Sequence, residues 1–223
     1  MAHELPLVIT ISRQLGSGGA FLGQRLAEKM KMLYLDREII KKVAEELGAL
    51  PKNLEWRDER IISNWQSIIN LMAYTESALY SPREYIMPSD KEIFKAESDI
   101  ILKIANERST VIIGRGSSYI LQNHPNHVSI YLHADVEFRK QRLQEIYSVS
   151  SKDAIKSIES TDKFRTRYIH EFTGHEMNDA RQYHLSIDTG VLGLEKAENL
   201  ICDYLRTRFG DVESFQGFMN QSL

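Results

Sequence analysis

Residues 8–29 read VITISRQLGSGGAFLGQRLAEK. An apolar run, Val8–Ile11, meets the cluster Gly16-Ser17-Gly18-Gly19, and a helical pattern follows with Leu22, Leu26 and Met30 on one face. Strand, glycine loop and helix in that order predict an anion-binding loop. Glycines let successive backbone N–H groups converge, and the helix N-terminus adds partial positive charge. The usual phosphate loop reads G-x-x-x-x-G-K-[ST]. Aligned on Gly16-Ser17-Gly18, this chain has Arg13 at the first glycine, Gly19 at the lysine and Ala20 at the Ser/Thr. The local context therefore fits while three signature positions do not. The competing reading is a glycine-rich turn that permits close helix–strand packing, the role expected of Gly23.

The missing lysine removes a charge near the phosphates, and the missing hydroxyl removes a magnesium ligand. Arg13, at the start of the loop, is the expected substitute for the charge, because a guanidinium is always protonated and fork-shaped. Its alternative role is a surface salt bridge. Ser17 or Ser12 is the expected source of an oxygen.

Outward from the loop, short apolar runs alternate with helical patterns. Strands are expected at Val8–Ser12, Leu33–Leu35, Thr110–Ile113, Val128–Leu132 and Tyr183–Ile187. Helices are expected at Gly18–Met30, Glu38–Leu47, Val136–Ile146 and Leu194–Arg208. Such alternation predicts an α/β fold with a parallel sheet, helices on both faces and right-handed crossovers. Two segments break it. Leu54–Ala105 reads as two or three helices, with a loop at SPREYIMPSD. Ser151–Phe172 reads as a long polar helix closed by Gly174. Both leave from carboxyl ends of strands, where ligands bind in open α/β sheets. The first is the expected helical insertion, and residues 151–174 the expected lid. The polar tail from Asp211 could dock or fray.

The 223 residues suit one domain over 1–223, and 42% hydrophobic with 26% charged residues is ordinary for a soluble protein. A net charge of −3 argues for neither nucleic acid nor an anionic membrane as partner. Cys202, the single cysteine, excludes an intramolecular disulfide and is expected as a small buried hydrophobe. No apolar stretch approaches the roughly 20 residues of a membrane span. The N-terminus, MAHELPLVI, lacks a signal-peptide pattern, and a cytoplasmic location is expected.

Further charged residues stand at strand ends. YLDREII places Asp36 and Arg37 after the second strand, where an acid can orient a sugar hydroxyl, hold hydrated magnesium or cap the next helix. VIIGRGSSYIL places Arg115 between two glycines, suited to gripping a phosphate bidentately. EFRKQRLQ carries Arg139 and Arg142 on one helical face. STDKFRTRYIHEF carries Asp162 and Arg165 on one face, with Lys163 and Arg167 beside them. Basic helix faces are usually solvated, but on a lid such cations stabilise a transferring phosphoryl group. The seven histidines show no metal-ligand spacing, so no metal site is expected beyond transient magnesium.

These motifs, in this order, resemble the cytidylate kinase-like proteins, a branch of the P-loop nucleoside monophosphate kinases. The resemblance rests on ISRQ and GSGG followed by YLDREII, then DKEIFKAESDIILKIAN, VIIGRGSSYIL, DKFRTRYIHEFTG and YHLSIDTGVLGLEKAENLI, over roughly residues 7–206. Cytidylate kinases of the standard type keep the loop lysine; this branch, like this chain, does not. The resemblance implies a P-loop NTPase three-layer sandwich, with a five-stranded parallel sheet, a helical insertion and a lid. It implies ATP with magnesium (Mg2+) as donor and a nucleotide such as CMP as acceptor. It implies Gly16, Ser17, Gly18 and Gly19 as the phosphate loop and Asp36 as the acid after the second strand. Arg115 would grip the acceptor phosphate, Arg139 and Arg142 would lie on the helix before the lid, and Lys163 and Arg165 would be lid cations. The insertion matches poorly, so no base-reading residue carries over; its Ile and Leu content permits a homodimer. A nucleotide-binding module without turnover, or a kinase of another phosphate acceptor, remains an alternative.

Overall fold

The computed structural model describes residues 5–46, 48 and 89–210. Five parallel strands form one sheet: β1 (Val8–Arg13), β2 (Leu33–Leu35), β3 (Thr110–Ile113), β4 (His127–His133) and β5 (Leu185–Asp188). Their spatial order is β2-β3-β1-β4-β5, which puts β1 at the centre. Strands covered on both faces read as nearly continuous apolar runs, as β1 and β3 do.

Among the described residues the helices are α1 (Gly19–Met30), α2 (Arg37–Glu46), α3 (Asp90–Glu107), the short α4 (Ser117–Ile120), α5 (Val136–Tyr147), α6 (Ser151–Thr173), the short α7 (Thr189–Leu192) and α8 (Leu194–Phe209). Alternation along the strands divides the core in two. Ile9, Ile11, Val111 and Ile130 pack against Leu22 and Leu26 of α1 and Ile201 and Leu205 of α8. Val8 and Ile112 pack against Ile40 and Val43 of α2 and Ile101 and Ile104 of α3. The result is the expected three-layer α/β sandwich. Cys202 is buried in the first of these layers.

Some boundaries differ from the sequence reading. The last strand begins at Leu185 rather than Tyr183, because residues 180–182 form a 3₁₀ turn capped by Asp179. Part of the expected insertion is the single 18-residue helix α3, opened by a capping box between Ser89 and Glu92. The rest of that insertion, residues 54–88, and the tail 211–223 lie outside the described residues. The long polar helix is α6, ended at Gly174 in the left-handed conformation with φ 70°.

Candidate active site

The carboxyl end of β1 leads directly into the glycine loop. Gly16 and Gly18 have φ of 83° and 88°, a region that penalises side chains. Gly18 is the N-cap of α1, and no side chain caps that helix. Its first-turn N–H groups are thus available to an anion. Ser17 Oγ lies 2.9 Å from the Gln14 carbonyl and 3.1 Å from that of Leu132, so its hydroxyl serves the scaffold. Thr189 Oγ1, at the start of α7, lies 2.9 Å from the Ser17 carbonyl and ties the loop to the end of β5.

Arg13 runs across this loop. A Cβ on Gly19 would stand 2.7 Å from Arg13 Cγ, and a Cβ on Gly114 would overlap Arg13 Nη1. The two glycines therefore form a channel for Arg13. Its stem fills the volume where the usual lysine would begin, and its guanidinium ends beside β3. Burial and the nearby Asp36 carboxylate push the Tyr34 phenol well above its usual range, while Arg13 opposes them. Arg13, Tyr34 and Asp36 thus share one electrostatic field. Asp36 also caps α2, with Oδ1 accepting the N–H groups of Glu38 and Ile39 at 3.1 Å each.

The helical cations divide. Arg139 is only 4% exposed and lies beneath the loop. Its Nε donates to the Ala134 carbonyl at 3.0 Å, and Nη1 lies 3.3 Å from the Leu15 carbonyl and 2.5 Å from Asp162 Oδ2. Asp162 Oδ1 accepts the Leu15 N–H at 2.8 Å. Arg165 donates to the Arg13 carbonyl at 3.3 Å. Arg142 lies with Arg25 over the Phe21 ring, each 5.6 Å from the centroid. Phe21 itself is 43% exposed in the first turn of α1. Lys163 is exposed on α6 beside Asp162.

A second cluster adjoins the first at Gly114. Gly114, Arg115 and Gly116 all have left-handed φ, of 75°, 60° and 67°. For arginine that conformation is costly and must be held by its surroundings. Arg115 Nε donates to Glu97 Oε2 at 2.9 Å, Nη2 pairs with the same oxygen, and the guanidinium lies 4.5 Å from the Tyr168 ring centroid. Phe94 of α3 stacks on Phe172 of α6 at 4.9 Å and closes the far side. Arg37 joins this group: burial first, then the like charge of Arg115, lowers its pKa, and Glu97 opposes. Arg37 and Arg115 thus stand close enough to repel each other, with Glu97 bonded to Arg115 and Glu38 and Glu97 both drawing on Arg37.

Glu97 and Tyr168 were missed by the sequence reading. The signal for Glu97 was its place on the apolar face of α3, in line with Ile93, Ile100, Ile101 and Ile104. Tyr168 was one aromatic in a polar helix and carried no comparable signal.

A glycine loop between β1 and α1, a parallel sheet ordered β2-β3-β1-β4-β5 and arginines at the strand ends define the class of P-loop kinase folds. Within that class, this chain belongs to the cytidylate kinase-like family, whose profile matches residues 8–191. It is 23% identical to a cytidylate kinase of Saccharolobus islandicus over 200 residues, 89% of this chain and 90% of the relative. It is 21% identical to a cytidylate kinase of Pyrobaculum islandicum over 205 residues, 92% of this chain and 95% of the relative. Among solved structures, an uncharacterized protein from Eubacterium ventriosum ATCC 27560 shares the fold with a TM-score of 0.68 and 24% identity, covering 91% of this chain and 99% of that one.

Proposed function

We propose that this protein transfers a phosphoryl group from ATP, with magnesium, to a nucleoside monophosphate such as CMP. The observation that carries this reading is the path of Arg13. Its stem crosses Gly19 and its guanidinium reaches Gly114, next to Arg115, which supports a cation shared between the loop and the acceptor side in place of the lysine. Phosphoryl transfer asks little covalent chemistry of the protein; positioning and positive charge do most of the work.

In this reading the polyphosphate lies on the loop of Gly16, Ser17, Gly18 and Gly19 and the first turn of α1. Arg13 faces its outer phosphates. Residues 151–174 act as a lid, from which Arg165 and Lys163 add charge, with Arg142 approaching from α5. Arg37 and Arg115 bind the acceptor's phosphate, beside Asp36. Ala20 offers no oxygen to a metal, and Ser17 turns its hydroxyl inward. Among the described residues no group of three acidic, His or Cys side chains could hold a metal. The donor set that fits magnesium is the nucleotide phosphates with water-mediated contact to Asp36. Bound there, the ion would neutralise charge on the transferring group. The names of the curated relatives support CMP as acceptor.

A second reading, nucleotide binding without turnover, is favoured by the absence of lysine and hydroxyl at Gly19 and Ala20. ADP release from ATP and magnesium, measured across the common nucleoside monophosphates, separates the two. Release stimulated by CMP is expected. ATP binding with no release across the panel would leave only the binding module.

A further inference from the structure

A phosphate loop must hold its N–H groups in one arrangement before the anion arrives, or binding carries the cost of ordering it. Here the loop is braced from outside. Leu15 is gripped at both backbone groups: its N–H by Asp162 at 2.8 Å and its carbonyl by Arg139 at 3.3 Å. Asp162 and Arg139 are paired at 2.5 Å, with side chains 18% and 5% exposed. Gly16, the next residue, rests on Arg139: a Cβ there would stand 2.9 Å from both Arg139 Cβ and its carbonyl oxygen. Arg139 is further anchored to the Ala134 carbonyl. The brace joins α5, α6 and the loop across 23 residues in one contact and 147 in another.

We infer that Asp162 is a positioning residue, which acts through Arg139 and the Leu15 amide to hold the loop in its phosphate-accepting shape. In this protein two tasks are divided: Arg13 supplies charge to the loop, and the Asp162–Arg139 pair supplies its rigidity. The inference rests on reading the loop as the ATP site. It also gives Arg139 a role beneath the loop in place of direct contact with substrate.

The test compares Asp162→Asn and Asp162→Ala with the wild-type chain. Asn keeps an oxygen for the Leu15 N–H but loses the charge that pairs with Arg139; Ala loses both. Amide exchange over residues 15–19 reports loop order directly, and calorimetry with ATP or inorganic tripolyphosphate reports its consequence. The expected result is faster loop exchange in both variants, stronger in Ala, with exchange in β1 and β4 unchanged. Anion affinity falls about tenfold in Ala and less in Asn. In turnover assays KM for ATP rises while KM for CMP holds, a split that general destabilisation would not produce. Unchanged loop exchange and unchanged affinity in both variants would overturn the inference and leave the kinase reading standing. A wild-type chain that binds neither ATP nor tripolyphosphate would overturn the reading of the site itself, and the inference with it.

Discussion

A side chain on Gly19 and the stem of Arg13 compete for one volume, since a Cβ at 19 would lie 2.7 Å from Arg13 Cγ. Restoring the usual lysine alone therefore does not repair the loop. Gly19→Lys is expected to displace Arg13 and lower ATP affinity, and Arg13→Ala is expected to lower it by about tenfold. The double variant Arg13→Ala, Gly19→Lys removes the obstruction and is expected to bind ATP more tightly than either single change. Titration of the four proteins with ATP checks this; additive losses would mean that the two positions do not share the space. Arg115 differs in kind. Its partner Glu97 is buried with it, so removing the arginine also leaves an unpaired buried carboxylate. Any loss of acceptor binding in Arg115→Ala must therefore be read beside a measured stability.

At the scale of elements, α3 and α6 form the wall of the second cluster. α3 supplies Phe94 and Glu97, and α6 supplies Tyr168 and Phe172. The start of α3 is set by its capping box, in which Ser89 Oγ accepts the Glu92 N–H and Glu92 accepts the Ser89 N–H. Ser89→Ala removes that acceptor and is expected to cost about 1 kcal/mol. Urea unfolding of the variant should show a lower midpoint with an unchanged slope. A midpoint equal to wild type would mean that packing along α3 alone sets its start.

For the whole molecule, the sheet carries a pH-dependent term far from the candidate site. His127 is buried at the start of β4, with Nε2 2.8 Å from Thr10 Oγ1. Burial, and then the like charge of His184, lowers its pKa from 6.5 to about 3. His124 and His184 are lowered in the same direction, chiefly by burial. The unfolded chain protonates these rings near 6.5 while the folded chain resists. The contribution of His127 to stability is therefore complete above 6.5 and is lost as pH falls toward about 3, and His124 and His184 act in the same direction. His127 alone should make stability decline by up to about 1.4 kcal/mol per pH unit over that window. Denaturation at pH 7.5 and at pH 5 checks it, and His127→Gln should flatten the difference. A pH-independent stability over that range would show that the rings titrate alike in both states.

Much of this was legible locally. Apolar runs bounded by glycine and the helical periodicity of Leu22, Leu26 and Met30 yield the strands and helices, because those signals depend on neighbours a few residues away. The glycines at 16 and 18 likewise announce a loop with left-handed residues. Side-chain partnerships did not follow. Arg13, Arg115 and Arg139 look alike in sequence, each a cation near a strand end or on a helix. Folding laid the first across Gly19 and Gly114, paired the second with Glu97 and seated the third under Leu15 and Gly16. The sequence by itself determined the alternation of elements, the glycine loop between β1 and α1 and the supply of arginines. Only the tertiary structure decided which arginine crosses Gly19 and Gly114, which pairs with Glu97 and which pairs with Asp162 beneath Leu15. The physical reason is that a charge takes its place from the nearest counter-charge and the free volume around it, and both come from segments distant in the chain.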